Sequence, residues 1–125
     1  MILEAELTEL QRQMANVDLL TEQHPNSTPD LIRFLVLKLR NLKIKMYQEP
    51  GHRTPHFHID YGREHHVASY SISEAQRLAG TLDTKYDRIV VAWITKHRNG
   101  LLDFWTSMQS GQNPSPLIAE ISGDA

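Results

Sequence analysis

Polar and apolar side chains alternate from His56 to Asp60, and this alternation constrains the fold more than any other feature of the chain. Successive side chains of a β-strand project to opposite faces of a sheet, so His56, His58 and Asp60 are predicted to share one face. Phe57 and Ile59 are predicted to share the other. The pattern therefore predicts a sheet with an apolar face packed on a core and a polar face that carries histidines.

Two further strands are expected beside this one. Residues 42–46 alternate apolar residues with lysines before a Pro-Gly pair, which predicts a first strand that ends there. Gly62 followed by Arg63 suits a two-residue type II′ turn, with glycine at the first central position. This turn would pair Asp60 with His65, His58 with Val67 and His56 with Ser69, and it would place His66 on the apolar face.

An N-terminal helix is predicted over about residues 2–22. Five apolar residues recur there at alternating steps of four and three, the spacing of a heptad seam: Leu3, Leu7, Leu10, Met14 and Val17. The seam would either pack on the chain's own domain or form a homodimer. A second helix over about 29–41 is expected after Thr28, which is followed by Pro29 and Asp30 as in a capped helix start.

Two helices are expected after the strands. Ser73 followed by residues 74–82 resembles a short capped helix, and apolar residues at helical steps predict a long helix over about 84–109. Asn99-Gly100 is the expected weak point of that helix. The whole pattern predicts an α+β fold, a three-stranded antiparallel β-meander packed on a long C-terminal helix, as a domain over 42–121. Residues 1–41 would form a helical extension, and residues 117–121 would dock as an extended piece.

Composition limits the chemistry. The 125 residues include no cysteine, which excludes disulfides, thiolate metal sites and cysteine nucleophiles. Residues 31–66 carry seven basic and three acidic residues, whereas residues 1–30 carry one basic and six acidic residues. Five of the seven histidines lie between His52 and His66, in the basic part, which favours an anionic ligand there. The sequence shows no secretory signal and no membrane-spanning stretch, so a cytoplasmic location is expected.

Several kinds of chemistry suit the polar face. A metal site for zinc or another divalent ion would use His56, His58, Asp60 and His65. Metal-free phosphoryl chemistry would use His56 and His58 as acid and base, with Lys45 stabilising the developing charge. Binding of a nucleotide or RNA phosphate without turnover is the third alternative, and the ligand-binding residues would be Tyr47, Arg53, His65 and Ser69. Against these stands the interpretation that the histidines are ordinary polar strand residues.

The chain resembles the small bacterial proteins grouped as domain-of-unknown-function family 4160. The resemblance covers about residues 42–117. Its most specific part is Pro55, His56, Phe57, His58, Ile59, Tyr61 and Gly62. It continues in ASYSI, Gly80 and the tryptophan-bearing stretch AWITKHRNGLLDFW, whereas residues 1–41 lie outside it.

The resemblance implies a small α+β domain, an association with toxin–antitoxin-like gene pairs, and His56 and His58 as the residues to test. We therefore expect a toxin–antitoxin-type or regulatory module that binds or acts on a phosphate-bearing nucleotide or RNA, with a cognate antitoxin-like protein as partner. The alternative is a noncatalytic metal-binding or protein-interaction module that forms a homo-oligomer through its N-terminal helix.

Overall fold

The computed structural model describes residues 2–21, 40–47, 54–62, 66–110 and 117–121. Helix α1 covers Ile2–Thr21, and helix α2 covers Asp87–Gln109 after a 3₁₀ turn at Thr84–Tyr86. The strands are β1 (Leu42–Met46), β2 (His56–Tyr61), β3 (His66–Ser71), β4 (Gln76–Gly80) and β5 (Leu117–Ile121). They form an antiparallel sheet in the order β4-β3-β2-β1-β5. The helix expected over about 29–41 falls almost entirely outside the described ranges.

The α+β prediction is confirmed in outline. The chain has an N-terminal helix, an antiparallel meander of the four strands β1 to β4, and a long C-terminal helix. The expected extended piece over 117–121 is strand β5, which pairs along the whole of β1 at the edge of the sheet. No helix among the described residues is both long enough and apolar enough to cross a membrane.

The short helix expected over 74–82 is wrong, because residues 76–80 form strand β4. The Ser71 hydroxyl accepts a hydrogen bond from the Glu74 amide at 3.1 Å, and Ala75 has a φ of 52°. Both belong to a tight turn that returns the chain antiparallel to β3. Pairing with β3 therefore overrides the helical preference of the segment. The absence of a side chain at Gly80 lets β4 approach β3 closely. A Cβ at this position would lie 2.3 Å from the Ala68 Cα, which is too short for a non-bonded contact.

The predicted register between β2 and β3 is wrong by two residues. The observed pairs are Asp60 with Val67, His58 with Ser69, His56 with Ser71, and Tyr61 with His66. The Gly62 amide donates to the Asn41 carbonyl oxygen at 2.9 Å, so Gly62 continues the ladder between β2 and the residue that precedes β1. Because a shift of two residues keeps each side chain on its face, the predicted faces of β2 and β3 still hold.

One core lies between the apolar face of the sheet and the two helices. It contains Phe57, Ile59 and Tyr61 of β2 together with Trp93 and Trp105 of α2, so both tryptophans supply core area. Three seam residues of α1 are 0% exposed within the single chain: Leu7, Leu10 and Met14. Of the two uses expected for the seam, their burial supports packing on the chain's own domain.

Helix α2 bends at His97, whose φ of −109° and ψ of 17° are not helical. The sequence predicts one long helix with a weak point at Asn99-Gly100. The single long helix is confirmed, and its non-helical residue is His97, just before the predicted position. The His97 ring packs on Trp93, with centroids 5.4 Å apart, and its Nε2 lies 2.9 Å from the Glu9 carboxylate. The bend therefore coincides with a contact between α2 and α1.

A buried carboxylate joins α1 to the sheet and to the 3₁₀ turn. Asp18 is 0% exposed. It accepts hydrogen bonds from the hydroxyls of Tyr61, at 3.0 Å, and Tyr86. The Lys85 ammonium lies 3.3 Å from its Oδ1, and the Arg40 Nε lies 4.0 Å from its Oδ2. Burial and the bond to Asp18 raise the pKa of Tyr86 far above its ordinary value, so this hydroxyl stays a donor.

Candidate functional site on the polar face of the sheet

Three of the predicted site residues lie side by side across the sheet. Lys45 of β1 pairs with His58 of β2, and His58 pairs with Ser69 of β3. Directly paired residues of antiparallel strands project from the same face, with Cβ atoms about 4.5–5.5 Å apart. All three side chains are half-buried. We call this set the central row. It brings an ammonium, an imidazole and a hydroxyl within reach of one small anionic group.

Tyr47 lies on the same face, two residues beyond Lys45. Its side chain is 36% exposed, and its ring meets the His58 ring edge to face with centroids 5.7 Å apart. An exposed aromatic ring next to hydrogen-bond donors suits a ligand with a flat apolar part and an anionic part. Tyr47 thus lies next to His58 of the central row.

His56 occupies a different environment from His58, although the two rings are in contact with centroids 5.4 Å apart. His56 is only 6% exposed, and the Trp105 ring of α2 packs on it at 5.0 Å. Its Nδ1 lies 2.8 Å from the Thr54 carbonyl oxygen. Since a carbonyl oxygen only accepts, Nδ1 carries the proton of this bond. His56 is therefore a packed residue of this face, while His58 has the greater access to solvent.

Asp60 is paired across the strands with a basic residue. In the register of β1 and β2 it is directly opposite Lys43, and opposite charges at such positions stabilise a sheet by about 0.2–1 kcal/mol. Lys45, one pair further along, forms no ion pair with a carboxylate among the described residues. The two lysines therefore differ within the described part of the chain, because Lys43 has an acidic neighbour on β2 whereas Lys45 lies opposite His58 and Ile118.

The metal set predicted from the sequence is only partly visible. His56, His58 and Asp60 are described, and His65, like Arg53, lies outside the described ranges. Within the described ranges, no three histidine or acidic residues are arranged so that they would hold a metal ion. The observed register also pairs Asp60 with Val67, not with His65.

Sequence reasoning did not single out Asp18, although a signal was present. Gln11 and Asp18 each follow a seam position of α1 by one residue and are seven residues apart. Polar residues at this spacing lie at the margin of the buried stripe of an amphipathic helix. Gln11 is 4% exposed and donates to the Arg40 carbonyl oxygen at 2.6 Å. Both residues join α1 to the segment that leads into β1.

The comparisons with known proteins identify one similarity. A family model described as Domain of unknown function (DUF4160) matches residues 41–106, which is just over half of the chain. No curated protein and no solved structure matches the chain. The matched range begins directly before β1 and ends within α2, so it includes the whole central row as well as His56 and Trp105.

Proposed function

The chain belongs to the family described as Domain of unknown function (DUF4160), and we propose that its polar sheet face binds a phosphate-bearing nucleotide, alone or within single-stranded RNA. The observation that carries this proposal is the central row, in which Lys45, His58 and Ser69 occupy adjacent positions on three strands. Each of these side chains donates hydrogen bonds, and phosphate oxygens accept them.

The distribution of charged side chains around the central row favours an anionic ligand there. Lys45 has no carboxylate partner within the described part of the chain, while Asp60 has Lys43 opposite it. A cation on a half-buried sheet face is screened less by salt than one in bulk water. A phosphate at the central row would supply the countercharge for Lys45. His58 would add a second charge-assisted bond when it is protonated.

An aromatic ring supports the nucleotide part of the proposal. Tyr47 is exposed beside His58. Aromatic side chains in ssRNA-binding grooves contribute about 1–3 kcal/mol for each base that stacks on them. In this arrangement Tyr47 holds a base and the central row holds the adjacent phosphate. The toxin–antitoxin-type or regulatory role, with a cognate protein partner, is the biological setting that we propose for this binding.

Binding is favoured over turnover by the difference between the two histidines. Acid and base catalysis by a histidine pair needs two rings that both reach the reacting atoms. His56 is buried under Trp105 with its Nδ1 on a carbonyl oxygen, which leaves His58 as the more accessible ring. If turnover occurs, His58 is the residue that we propose as acid or base, with Lys45 as the charge-stabilising group.

Fluorescence anisotropy with a labelled single-stranded RNA, and competition by free nucleotides, test the proposal. Lys45→Ala is expected to weaken binding and to lower the slope of log K against log salt by about 0.7, the value for one lost phosphate contact on a single strand. Tyr47→Ala is expected to weaken binding by about 1–3 kcal/mol with little change in that slope. Arg88→Ala, which removes an exposed charge of the same sign from α2, is the matched control.

Two outcomes would contradict the proposal. One is that the wild-type chain binds neither RNA nor nucleotide at low salt. The other is that Lys45→Ala and Arg88→Ala weaken binding equally, which would indicate attraction by overall charge only. Incubation of the same RNA with wild type and His58→Ala separates binding from turnover. Cleavage by wild type that is lost in a folded, RNA-binding His58→Ala variant would assign a catalytic role to this histidine.

A further inference from the structure

Two exposed side chains with large apolar parts lie on the polar face, one on each side of the central row. Tyr47 lies two residues beyond Lys45, and Val67 lies two residues before Ser69. Because β1 and β3 both run antiparallel to β2, these positions are on opposite sides of the row. Each is about 7 Å from the row along its strand. The two side chains are 36% and 42% exposed, so both are open to a ligand.

The Val67 side of the face also carries a carboxylate. Asp60 pairs directly with Val67 on one side and with Lys43 on the other, so these three side chains form a second row next to the central row. The backbone of Val67 is fixed, because its carbonyl oxygen accepts hydrogen bonds from the amides of Thr81 and Leu82 at 2.8 and 3.1 Å. The second row therefore offers an apolar contact beside a hydrogen-bond acceptor.

A phosphate at the central row would have an apolar contact on both sides. A mononucleotide carries a single base and would use one side only, whereas a phosphodiester carries one nucleoside on each side. The negative charge of Asp60 repels a second phosphate at the second row. Its two oxygens accept several hydrogen bonds, so Asp60 can contact Lys43 and a ligand at the same time. The second row therefore suits a base with N–H groups and not another phosphate.

The carboxylate also distinguishes between bases. The pairing edge of guanine presents two adjacent donors, N1–H and the N2 amino group, whereas that of uracil presents one donor between two carbonyl oxygens. Hydrogen bonds to a carboxylate are charge-assisted and stronger than neutral ones. Building on the proposed function, we propose that the ligand is a single-stranded dinucleotide step. Its phosphodiester lies at the central row, one base lies on Tyr47, and the other is a guanine that lies on Val67 and donates to Asp60.

Calorimetric titration of the full chain at low salt tests this proposal. The ligands are the dinucleoside monophosphates UpG, GpU and UpU, and the methyl esters of uridine 3′-phosphate and uridine 5′-phosphate. All of them carry a single negative charge, so differences in affinity report the second nucleoside. UpG or GpU is expected to bind about tenfold or more tightly than UpU, and the tighter of the two gives the direction of the strand. UpU is expected to bind about threefold or more tightly than either methyl ester.

Inosine and two variants identify the contacts at the second row. Inosine lacks the N2 amino group, so it should bind less tightly than guanosine at the same position. Asp60→Asn keeps the shape of the side chain and should lose the guanine preference while binding UpU more tightly, since the repulsion of the phosphate is gone. Asp103→Asn, at an exposed acid of α2, is its control. Val67→Ala should reduce the ratio of affinities between UpU and the methyl esters, and Leu20→Ala, at an exposed leucine of α1, should not.

Three results would overturn the proposal: methyl esters that bind as tightly as the dinucleotides, equal binding of guanosine and inosine, or a guanine preference that persists in a folded Asp60→Asn variant. Melting curves show whether each variant is folded, and the inosine comparison needs no variant. In each of these cases, binding of the labelled RNA that depends on Lys45 would leave the proposed function intact. If no RNA and no nucleotide binds, both proposals are wrong.

Discussion

Asp18→Ala is expected to remove a large part of the stability of this chain. The side chain is fully buried and accepts hydrogen bonds from two tyrosine hydroxyls, Tyr61 on β2 and Tyr86 in the 3₁₀ turn. Both tyrosines are themselves buried, at 2% and 7% exposure. Their hydroxyls would lose the carboxylate as acceptor in the variant.

The magnitude follows from these contacts. A hydrogen bond to a charged group contributes about 1.5–3 kcal/mol, so two such bonds give about 3–6 kcal/mol. Water that enters the space would recover part of this loss, and removal of one partner from a buried charged network typically costs about 3–5 kcal/mol. Lys85 and Arg40 contribute less, because their side chains are 25% and 33% exposed and the Arg40 contact is 4.0 Å long. We therefore expect a loss of about 3–5 kcal/mol for Asp18→Ala, against a typical total of about 5–15 kcal/mol for a folded domain.

Asp18→Asn separates charge from shape. Its carbonyl oxygen still accepts from one tyrosine hydroxyl, while the charge and the second acceptor are lost. The expected cost is smaller, about 1–3 kcal/mol. Urea unfolding followed by circular dichroism and tryptophan fluorescence measures both variants. Asp103→Ala, an exposed acid on α2, is the control. A loss for Asp18→Ala of less than about 1 kcal/mol, close to the ±0.5 kcal/mol typical of surface substitutions, would refute this account of the network.

Three further predictions use the same unfolding measurements. Gly80→Ala is expected to cost more than about 1 kcal/mol, because its φ of 125° and the 2.3 Å approach to β3 exclude a side chain, whereas Gly100→Ala is expected to stabilise α2 by about 0.5–1 kcal/mol. Hydrogen bonds from Lys96 and His97 of α2 lower the pKa of Glu9, so its contribution is present above the ordinary value of 4.5 and is lost as pH falls through the folded-state pKa. Glu9→Gln should therefore show a smaller loss of unfolding free energy on acidification than the wild type. Deletion of residues 1–21 removes the three large core side chains of Leu7, Leu10 and Met14, each worth about 2–5 kcal/mol, so circular dichroism should show no cooperative melt.

The sequence predicted which face of the sheet a strand residue occupies better than it predicted which residues pair across the strands. Alternation between His56 and Asp60 is a local property of the chain, and it placed each residue on its observed face even though the hairpin register was displaced by two residues. The displacement has a non-local cause, since the Gly62 amide bonds to Asn41 on the other side of β2. Strand β4 was missed for a similar reason. Its residues favour helix, and only the pairing with β3 makes them a strand.

The difference between local pattern and long-range packing also determines which histidine should be substituted first. His56 and His58 are equivalent in the sequence, because both lie on the polar face at a spacing of two. They differ in the structure because Trp105, from a distant part of the chain, packs on His56 and leaves His58 beside Tyr47 and Lys45. Local periodicity determines which face of the sheet a side chain occupies. Long-range packing then determines which side chains on that face are exposed enough to contact the proposed ligand. A double variant of both histidines would combine loss of packing with loss of binding. His58→Ala and Lys45→Ala, at a half-buried face, test the proposed ligand contact while leaving the core intact.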